Sequence, residues 1–144
     1  MMVYADTCIL LSLFFRDTHT DAALRWLTEA SSETLVITPW TRAEFASAAG
    51  ILARRGDISP TLHREALERF DHFVTSRLSV EAVATADFDR AGQWMCDYRT
   101  GLRAGDALHL AVCARLNAQL CTADESLIRV ARSLGLTVQS MEAD

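Results

Sequence analysis

The stretch LRAGDALHLAV (residues 102–112) predicts a helix that carries an acidic residue on its apolar face. Apolar side chains recur three and four positions apart through Leu116, which is the spacing of an amphipathic helix. Asp106 shares a face with Leu110 and Cys113, so its carboxylate is predicted to be buried. An unpaired buried carboxylate is costly. Asp106 therefore either caps the helix and gains from its dipole, or belongs to a polar site.

The composition predicts one soluble globular domain over residues 1–144. Half of the residues are hydrophobic, and no apolar run is long enough to span a bilayer. The first residues carry no basic segment of a secretory signal, so a cytoplasmic location without a membrane partner is expected. The net charge of −5 argues against non-specific coating of nucleic acid. All fourteen residues counted as Lys or Arg are Arg, which excludes mechanisms that need a lysine.

Strand and helix patterns alternate along the whole chain. Apolar strands are predicted at residues 3–5, 35–38, 78–83, 119–122 and 136–138. Helical patterns fill the intervals, with starts such as Pro39 and Ser59-Pro60 and a stop at Gly135. This alternation predicts a three-layer α/β/α domain with a mainly parallel central sheet of about five strands.

Two acidic residues stand directly after predicted strands. Asp6 follows the first strand and Asp124 follows the fourth. Open α/β folds place their ligands at the carboxyl ends of the strands, so both side chains are predicted to lie at a ligand-binding edge. The simpler explanation for Asp6 is that it caps the next helix.

Glu44 is predicted to lie on the inner face of the helix that follows the second strand. It is level with Trp40, Ala48 and Ile51, whereas ordinary helices place Glu in solvent. A salt bridge to an arginine is the simpler explanation.

If Glu44 converges with the other three carboxylates, their repulsion requires a cation. Oxygen ligands select Mg²⁺ or Mn²⁺, and such an ion supports hydrolysis of a phosphodiester.

Four segments together resemble the PIN domain, and in particular the VapC-type toxins of bacterial toxin–antitoxin pairs. The segments are YADT (residues 4–7), RAE (42–44), RAGDALHLA (103–111) and LCTADESL (120–127). The resemblance implies a Mg²⁺-dependent endoribonuclease, with Mn²⁺ as a substitute, that is held inactive by a cognate antitoxin. It also implies an RNA substrate, and we expect a homodimer.

Carried over by position, the resemblance makes Asp6 and Asp106 direct metal ligands. Glu44 would hold the metal or its waters, and Asp124 would complete the acidic site. Thr7 and Thr122 would donate hydrogen bonds that orient the carboxylates. Cys8 departs from the small hydroxyl residue that is common after Asp-Thr, which affects one minor hydrogen bond.

Three further residues near the predicted site have two explanations each. Arg103 either contacts a phosphate of the substrate or pairs with a surface carboxylate. For His109, a hydrogen-bonded core histidine is favoured over a general base, because a metal ion already activates water. Trp40 is either a core residue or a base-stacking platform one turn from Glu44.

Two other functions compete with a ribonuclease. Phosphoryl-transfer receivers depend on a lysine, and phosphatases of similar topology have an Asp-x-Asp motif, whereas this chain has Asp6-Thr7-Cys8. A non-catalytic PIN-like binding module is the other alternative. Loss of one acidic residue would favour it, and all four are present.

Overall fold

A five-stranded sheet organises the chain, as seen in a computed structural model that describes residues 1–141. Every neighbouring pair of strands is parallel, in the order β3-β2-β1-β4-β5. This confirms the predicted α/β fold. The last three residues of the predicted domain lie outside the described residues. The strands are β1 (Met2–Ala5), β2 (Thr34–Ile37), β3 (Leu78–Val80), β4 (Gln119–Thr122) and β5 (Val138–Ser140).

Helices cover both faces of the sheet because alternate strand residues point to opposite sides. Val3 and Ala5 pack into one core with the first four helices, and Tyr4 packs into a second core with the sixth and seventh. Among residues 1–141, no helix combines the length and the hydropathy that crossing a bilayer requires. The helices are α1 (Thr7–Phe14), α2 (Thr20–Glu29), α3 (Pro39–Arg55), α4 (Pro60–Arg77), α5 (Thr85–Met95), α6 (Ala104–Arg115) and α7 (Glu125–Ser133).

The third and the last strand differ most from their predicted bounds, each for a local reason. The last strand begins at residue 138 rather than 136. Leu136 N–H donates a hydrogen bond to the Ala131 carbonyl, so residue 136 still belongs to the turn that ends α7. The third strand stops at Val80 rather than at residue 83, because its partner β2 ends at Ile37, which pairs with Val80.

A buried ion pair joins α5 to α6. Asp87 is 2% exposed and accepts hydrogen bonds from Arg115 Nε at 2.8 Å and Nη2 at 2.9 Å. Its Oδ2 also accepts from Ala84 N–H at 2.8 Å, at the start of α5. These bonds hold the two helices together at the opposite end of α6 from Asp106.

The sheet order brings two of the predicted site residues together. β1 and β4 are neighbours, with Ala5 opposite Cys121. Asp6 N–H then bonds to the Cys121 carbonyl at 3.0 Å. The chain segments that leave these two strands, which carry Asp6 and Asp124, therefore start side by side at the carboxyl edge of the sheet.

Candidate active site

Asp6 is held by side chains rather than by the helix it precedes. It is 6% exposed and occupies the N-cap position of α1, yet its carboxylate makes no capping hydrogen bond. Its Oδ2 accepts hydrogen bonds from Thr122 Oγ1 at 2.7 Å and from Cys8 Sγ at 3.3 Å. The capping explanation for Asp6 is therefore not supported, and its carboxylate is oriented from β4 and α1.

Cys8 takes over the donor position where the resemblance expects a hydroxyl group. Burial, together with the negative charge of Asp6, raises the pKa of Cys8 to about 12. The thiol therefore stays neutral at physiological pH and can donate to Asp6. A thiol is a weak donor, so Thr122 is the stronger of the two partners of Asp6.

Asp124 combines a structural role with an exposed position at the edge. Its Oδ1 accepts from Leu127 N–H at 3.1 Å and so caps α7. The backbone N–H of Asp124 donates to Thr122 Oγ1 at 3.1 Å. Thr122 is fully buried and thus ties Asp6 and Asp124 to the same strand end. Within residues 1–141, nothing donates a hydrogen bond to the second oxygen of Asp124.

Glu44 is half-buried and is fixed from two sides. Its Oε1 accepts from Thr7 Oγ1 at 2.7 Å and also bonds to His109 Nε2. Burial would raise the pKa of Glu44, but the hydrogen bond and charge of His109, with smaller effects of Thr7 and Trp40, lower it. The ionic partner of Glu44 is therefore a histidine and not the arginine considered from the sequence.

The predicted inner face of α3 is wrong. Phe45 and Ala49 are fully buried, whereas Trp40 is 40% and Ile51 38% exposed. Glu44 lies at the margin between these two faces, where its carboxylate reaches both buried His109 and the surface. Trp40 is accordingly a rim residue of the site and not a core residue.

His109 is the buried histidine that the sequence predicts. Its Nδ1 lies 2.5 Å from Tyr4 Oη and its Nε2 bonds to Glu44. Burial opposes the charged form, but the hydrogen bond to Glu44 and the nearby charges of Asp6, Glu44 and Asp106 raise the pKa of His109. The surroundings thus favour an imidazolium beneath the acidic residues, in a position to fix Glu44 and not to reach substrate.

Asp106 is the carboxylate without a partner. It lies half-buried in the first turn of α6, and among residues 1–141 nothing donates a hydrogen bond to its side chain. Burial raises its pKa, and the charges of Asp6, Asp124 and Glu44 raise it further, against an opposing effect of His109. Asp106 therefore lies within electrostatic reach of the other three predicted carboxylates. The first turn of α6 favours a negative charge but does not pair it.

Gly105 permits the close approach of α6 to α3, which the sequence reasoning missed. A Cβ at this position would lie 3.1 Å from Glu44 Oε2 and 3.4 Å from the Trp40 ring. The available signal was a glycine in the first turn of a helix. Glycine lowers the stability of a helix, so its presence there indicates a position where a side chain would not fit. Tyr4 was also missed, because it contacts a residue 105 positions away.

Arg103 stands exposed at the N-cap of α6, three residues before Asp106. No carboxylate of residues 1–141 lies within 4 Å of its guanidinium group, so the surface ion pair considered from the sequence is not observed there. Its five donors remain available to a phosphate.

The donor set fits a hard divalent cation. The carboxylates supply oxygen atoms, and Asp106 lacks any compensating group. Across residues 1–141, no three or more His, Cys, Asp or Glu side chains are gathered into a ready-made metal site. Mutual repulsion keeps unneutralised carboxylates apart, so such a site would close around the ion as it binds.

The chain is similar in sequence to a known family of domains. The sequence model of the PIN domain matches residues 3–133, which is nearly the whole chain. No curated protein sequence gives a match.

Solved structures share the fold at low sequence identity. VapBC2 of Rickettsia felis, bound to a DNA fragment from its promoter, is 19% identical with a TM-score of 0.75, covering 99% of this chain and 100% of that one. VapBC-1 of Haemophilus influenzae is 19% identical with a TM-score of 0.69 and 98% coverage of both chains. The sarcin-ricin loop cleaving toxin VapC20 of Mycobacterium tuberculosis is 17% identical with a TM-score of 0.70, covering 88% of this chain and 93% of that one.

Proposed function

Because this chain belongs to the PIN domain family, we propose that it is a cytoplasmic, metal-dependent endoribonuclease and the toxin of a toxin–antitoxin pair. The observation that carries the proposal is Asp106, a half-buried carboxylate without a hydrogen-bond donor among residues 1–141 and within the field of three other carboxylates. A purely structural carboxylate would be paired or capping. The toxin-like fold of VapC20 and of the VapBC structures supports the same assignment.

Asp6 and Asp106 would ligate Mg²⁺ or Mn²⁺, and Glu44 and Asp124 would complete the acidic site. When bound, a divalent ion supplies neutralising charge for phosphate oxygens and activation of a water molecule. The choice of Mg²⁺ rests on the oxygen-only donor set of the four carboxylates. Arg103, exposed and beside Asp106, is proposed to contact a phosphate of the RNA.

The surrounding residues would keep the carboxylates ionised and oriented. Thr122 donates to Asp6, and Thr7 donates to Glu44. His109 holds Glu44 from beneath and is itself held by Tyr4. Because these donors belong to strands and helices of the core, the carboxylates of Asp6 and Glu44 would be oriented before RNA or metal arrives.

The proposed function is tested with purified protein and labelled single-stranded and structured RNA. Cleavage is expected with Mg²⁺ or Mn²⁺, and not with EDTA. Asp6→Asn should lower the cleavage rate by at least a hundredfold, because Asn keeps the shape of the side chain but removes its charge. Asp71→Asn, an exposed change on α4, is the matched control and should cleave like wild type.

Three outcomes separate the competing functions. Cleavage that persists in EDTA would reject the metal mechanism. Binding of RNA without cleavage would support a non-catalytic PIN-like module. Release of phosphate from small phosphomonoesters, without RNA cleavage, would support the phosphatase.

The antitoxin is proposed to bind in a groove on the exposed side of α3. The groove has a volume of about 460 Å³, and its lining includes Trp40, Glu44, Ala48 and Ile51. An apolar helix fits such a groove, and an Arg or Lys on it would reach the acidic site and exclude RNA. We propose that residues 8–15, largely in the neighbouring helix α1, join residues 45–53 in binding the same segment.

Co-expression with the product of the adjacent reading frame tests this interface. Ile51→Glu should weaken the complex and restore RNA cleavage in its presence, while leaving cleavage by the free protein unchanged. Leu24→Glu, at an exposed position of α2, is the control. Normal complex formation by Ile51→Glu would rule out the groove. The proposed homodimer is tested separately by sedimentation equilibrium of the free protein.

A further inference from the structure

A second cavity adjoins the acidic site on the side of Asp124. Its volume is about 700 Å³, within the usual range for ligand sites. Ala123 and Glu125, the chain neighbours of Asp124, form its near wall. His19, from the segment before α2, and Ser140, at the end of β5, form other walls. The cavity is therefore open along the same carboxyl edge of the sheet as the four carboxylates.

Two arginines of α7 give this cavity its chemistry. Arg129 and Arg132 are three positions apart, so their side chains leave the same side of the helix, and both line the cavity. Neither has a carboxylate within 4 Å among residues 1–141, although Glu125 lies one turn before Arg129 and lines the same space. Both guanidinium groups thus keep their donors for a ligand.

The charge balance indicates which ligand they take. Among residues 1–141, the lining of the cavity contains two guanidinium groups and one carboxylate, that of Glu125. This local excess of positive charge occurs in a chain whose formal net charge is −5. Planar guanidinium forks match phosphate oxygens and bind them in pairs. A polyanion approaching four carboxylates also needs cationic contacts beside them to offset repulsion. The cavity supplies such contacts next to Asp124.

We propose that this cavity binds a backbone phosphate of the RNA strand, through Arg129 and Arg132, on the Asp124 side of the cleavage site. The inference rests on the proposed ribonuclease function and adds the path of the strand. RNA would run from the acidic site past Asp124 and over α7. This contact reads phosphate and not base, so it raises affinity for all sequences alike.

Fluorescence anisotropy of a labelled single-stranded RNA tests the proposal. Measurements use proteins that also carry Asp106→Asn, in millimolar Mg²⁺. The Asp106→Asn change is expected to keep the fold and to stop hydrolysis of the RNA. Arg129→Ala/Arg132→Ala should weaken binding roughly tenfold. It should also reduce the magnitude of the salt slope of the affinity by about 0.7, the contribution of one single-stranded phosphate contact. Arg129→Lys/Arg132→Lys should recover part of the loss.

A matched control removes the same charge elsewhere. Arg64→Ala/Arg69→Ala changes two exposed arginines of α4, outside the cavity and the acidic site. We expect less than a twofold change in RNA affinity. Thermal melts verify that both double variants are folded, as expected for alanine on an exposed helix face.

Several results would overturn the inference. Equal losses in the two double variants would mean that RNA responds to overall charge and not to this cavity. Unchanged RNA binding by Arg129→Ala/Arg132→Ala, with a weakened antitoxin complex, would assign the cavity to the antitoxin. In both cases wild-type cleavage would leave the ribonuclease function intact. If wild-type protein neither binds nor cleaves RNA, the function and the inference fail together.

Discussion

Replacing Asp106 by Asn distinguishes a metal ligand from a helix-dipole residue. In the folded protein without metal, burial and the other carboxylates raise the pKa of Asp106. Protonated Asp106 therefore stabilises the folded protein fully below its ordinary pKa, and this stabilisation is lost as pH rises through the higher pKa of the folded state. At neutral pH the metal-free Asp106→Asn variant should be at least as stable as wild type.

Divalent metal should reverse this order. A ligand that binds only the folded state stabilises it by about 2.7 kcal/mol at one hundred times its dissociation constant. Unfolding entropy of about 2.1 cal/mol/K per residue gives about 300 cal/mol/K for this chain of 144 residues. The corresponding rise in Tm is about 9 °C for wild type. Asp106→Asn lacks one charged ligand and should show a much smaller rise.

Thermal melts of both proteins, with EDTA and with a series of Mg²⁺ concentrations, measure these shifts. The metal-free melts are repeated from mildly acidic to neutral pH, where wild type should lose stability relative to Asp106→Asn as pH rises. Equal Mg²⁺-induced shifts in the two proteins would refute the assignment of Asp106 as a ligand. A helix-dipole role predicts equal shifts, because an interaction with the dipole does not involve the metal.

Three further changes test the supports of the site. His109→Gln should cost about 1–3 kcal/mol by leaving partners unsatisfied. Because the pKa of His109 is raised in the folded protein, its contribution to the free energy of unfolding is complete below about pH 6.5 and is lost as pH rises through the folded pKa. Urea unfolding at a series of pH values should show this pH dependence for wild type and not for His109→Gln. Gly105→Ala should weaken Mg²⁺ binding and RNA cleavage by crowding Glu44, with metal-free stability changed by less than about 1 kcal/mol, since alanine is the better helix former. Asp87→Ala should cost about 1–3 kcal/mol in urea unfolding, because it removes the hydrogen bonds that Asp87 accepts from Arg115 and from Ala84 N–H. The cleavage rate of the folded fraction should stay that of wild type.

The sequence predicted the fold well because its signals are local. Pro39, and Ser59 with Pro60, mark the starts of α3 and α4 where the structure has them. The third strand was overextended because its end is set by the partner strand β2, which stops at Ile37. Residues 81–83 are two-thirds apolar and carry no local signal for that limit.

For the candidate site, the sequence singled out the four carboxylates and the two threonines that donate to them, but it missed Tyr4 and Gly105. Asp6, Glu44, Asp106 and Asp124 are conspicuous because carboxylates in apolar patterns are expensive. The contact of Tyr4 with His109 joins opposite parts of the chain, so no spacing rule reveals it. The exposed side of α3 was mistaken for its core side because Trp40 and Ile51 are apolar, although apolar side chains are common on protein surfaces.

Binding of Mn²⁺ to the free protein tests the central claim most directly. Electron paramagnetic resonance measures free Mn²⁺ in solution, so titration with protein gives the bound amount without RNA or turnover. We predict that wild type binds Mn²⁺, that Mg²⁺ competes for the same site, and that Asp6→Asn and Asp106→Asn each weaken binding at least tenfold. Mn²⁺ that stays free in the presence of excess wild-type protein, or binds the two variants equally well, would contradict a four-carboxylate metal site.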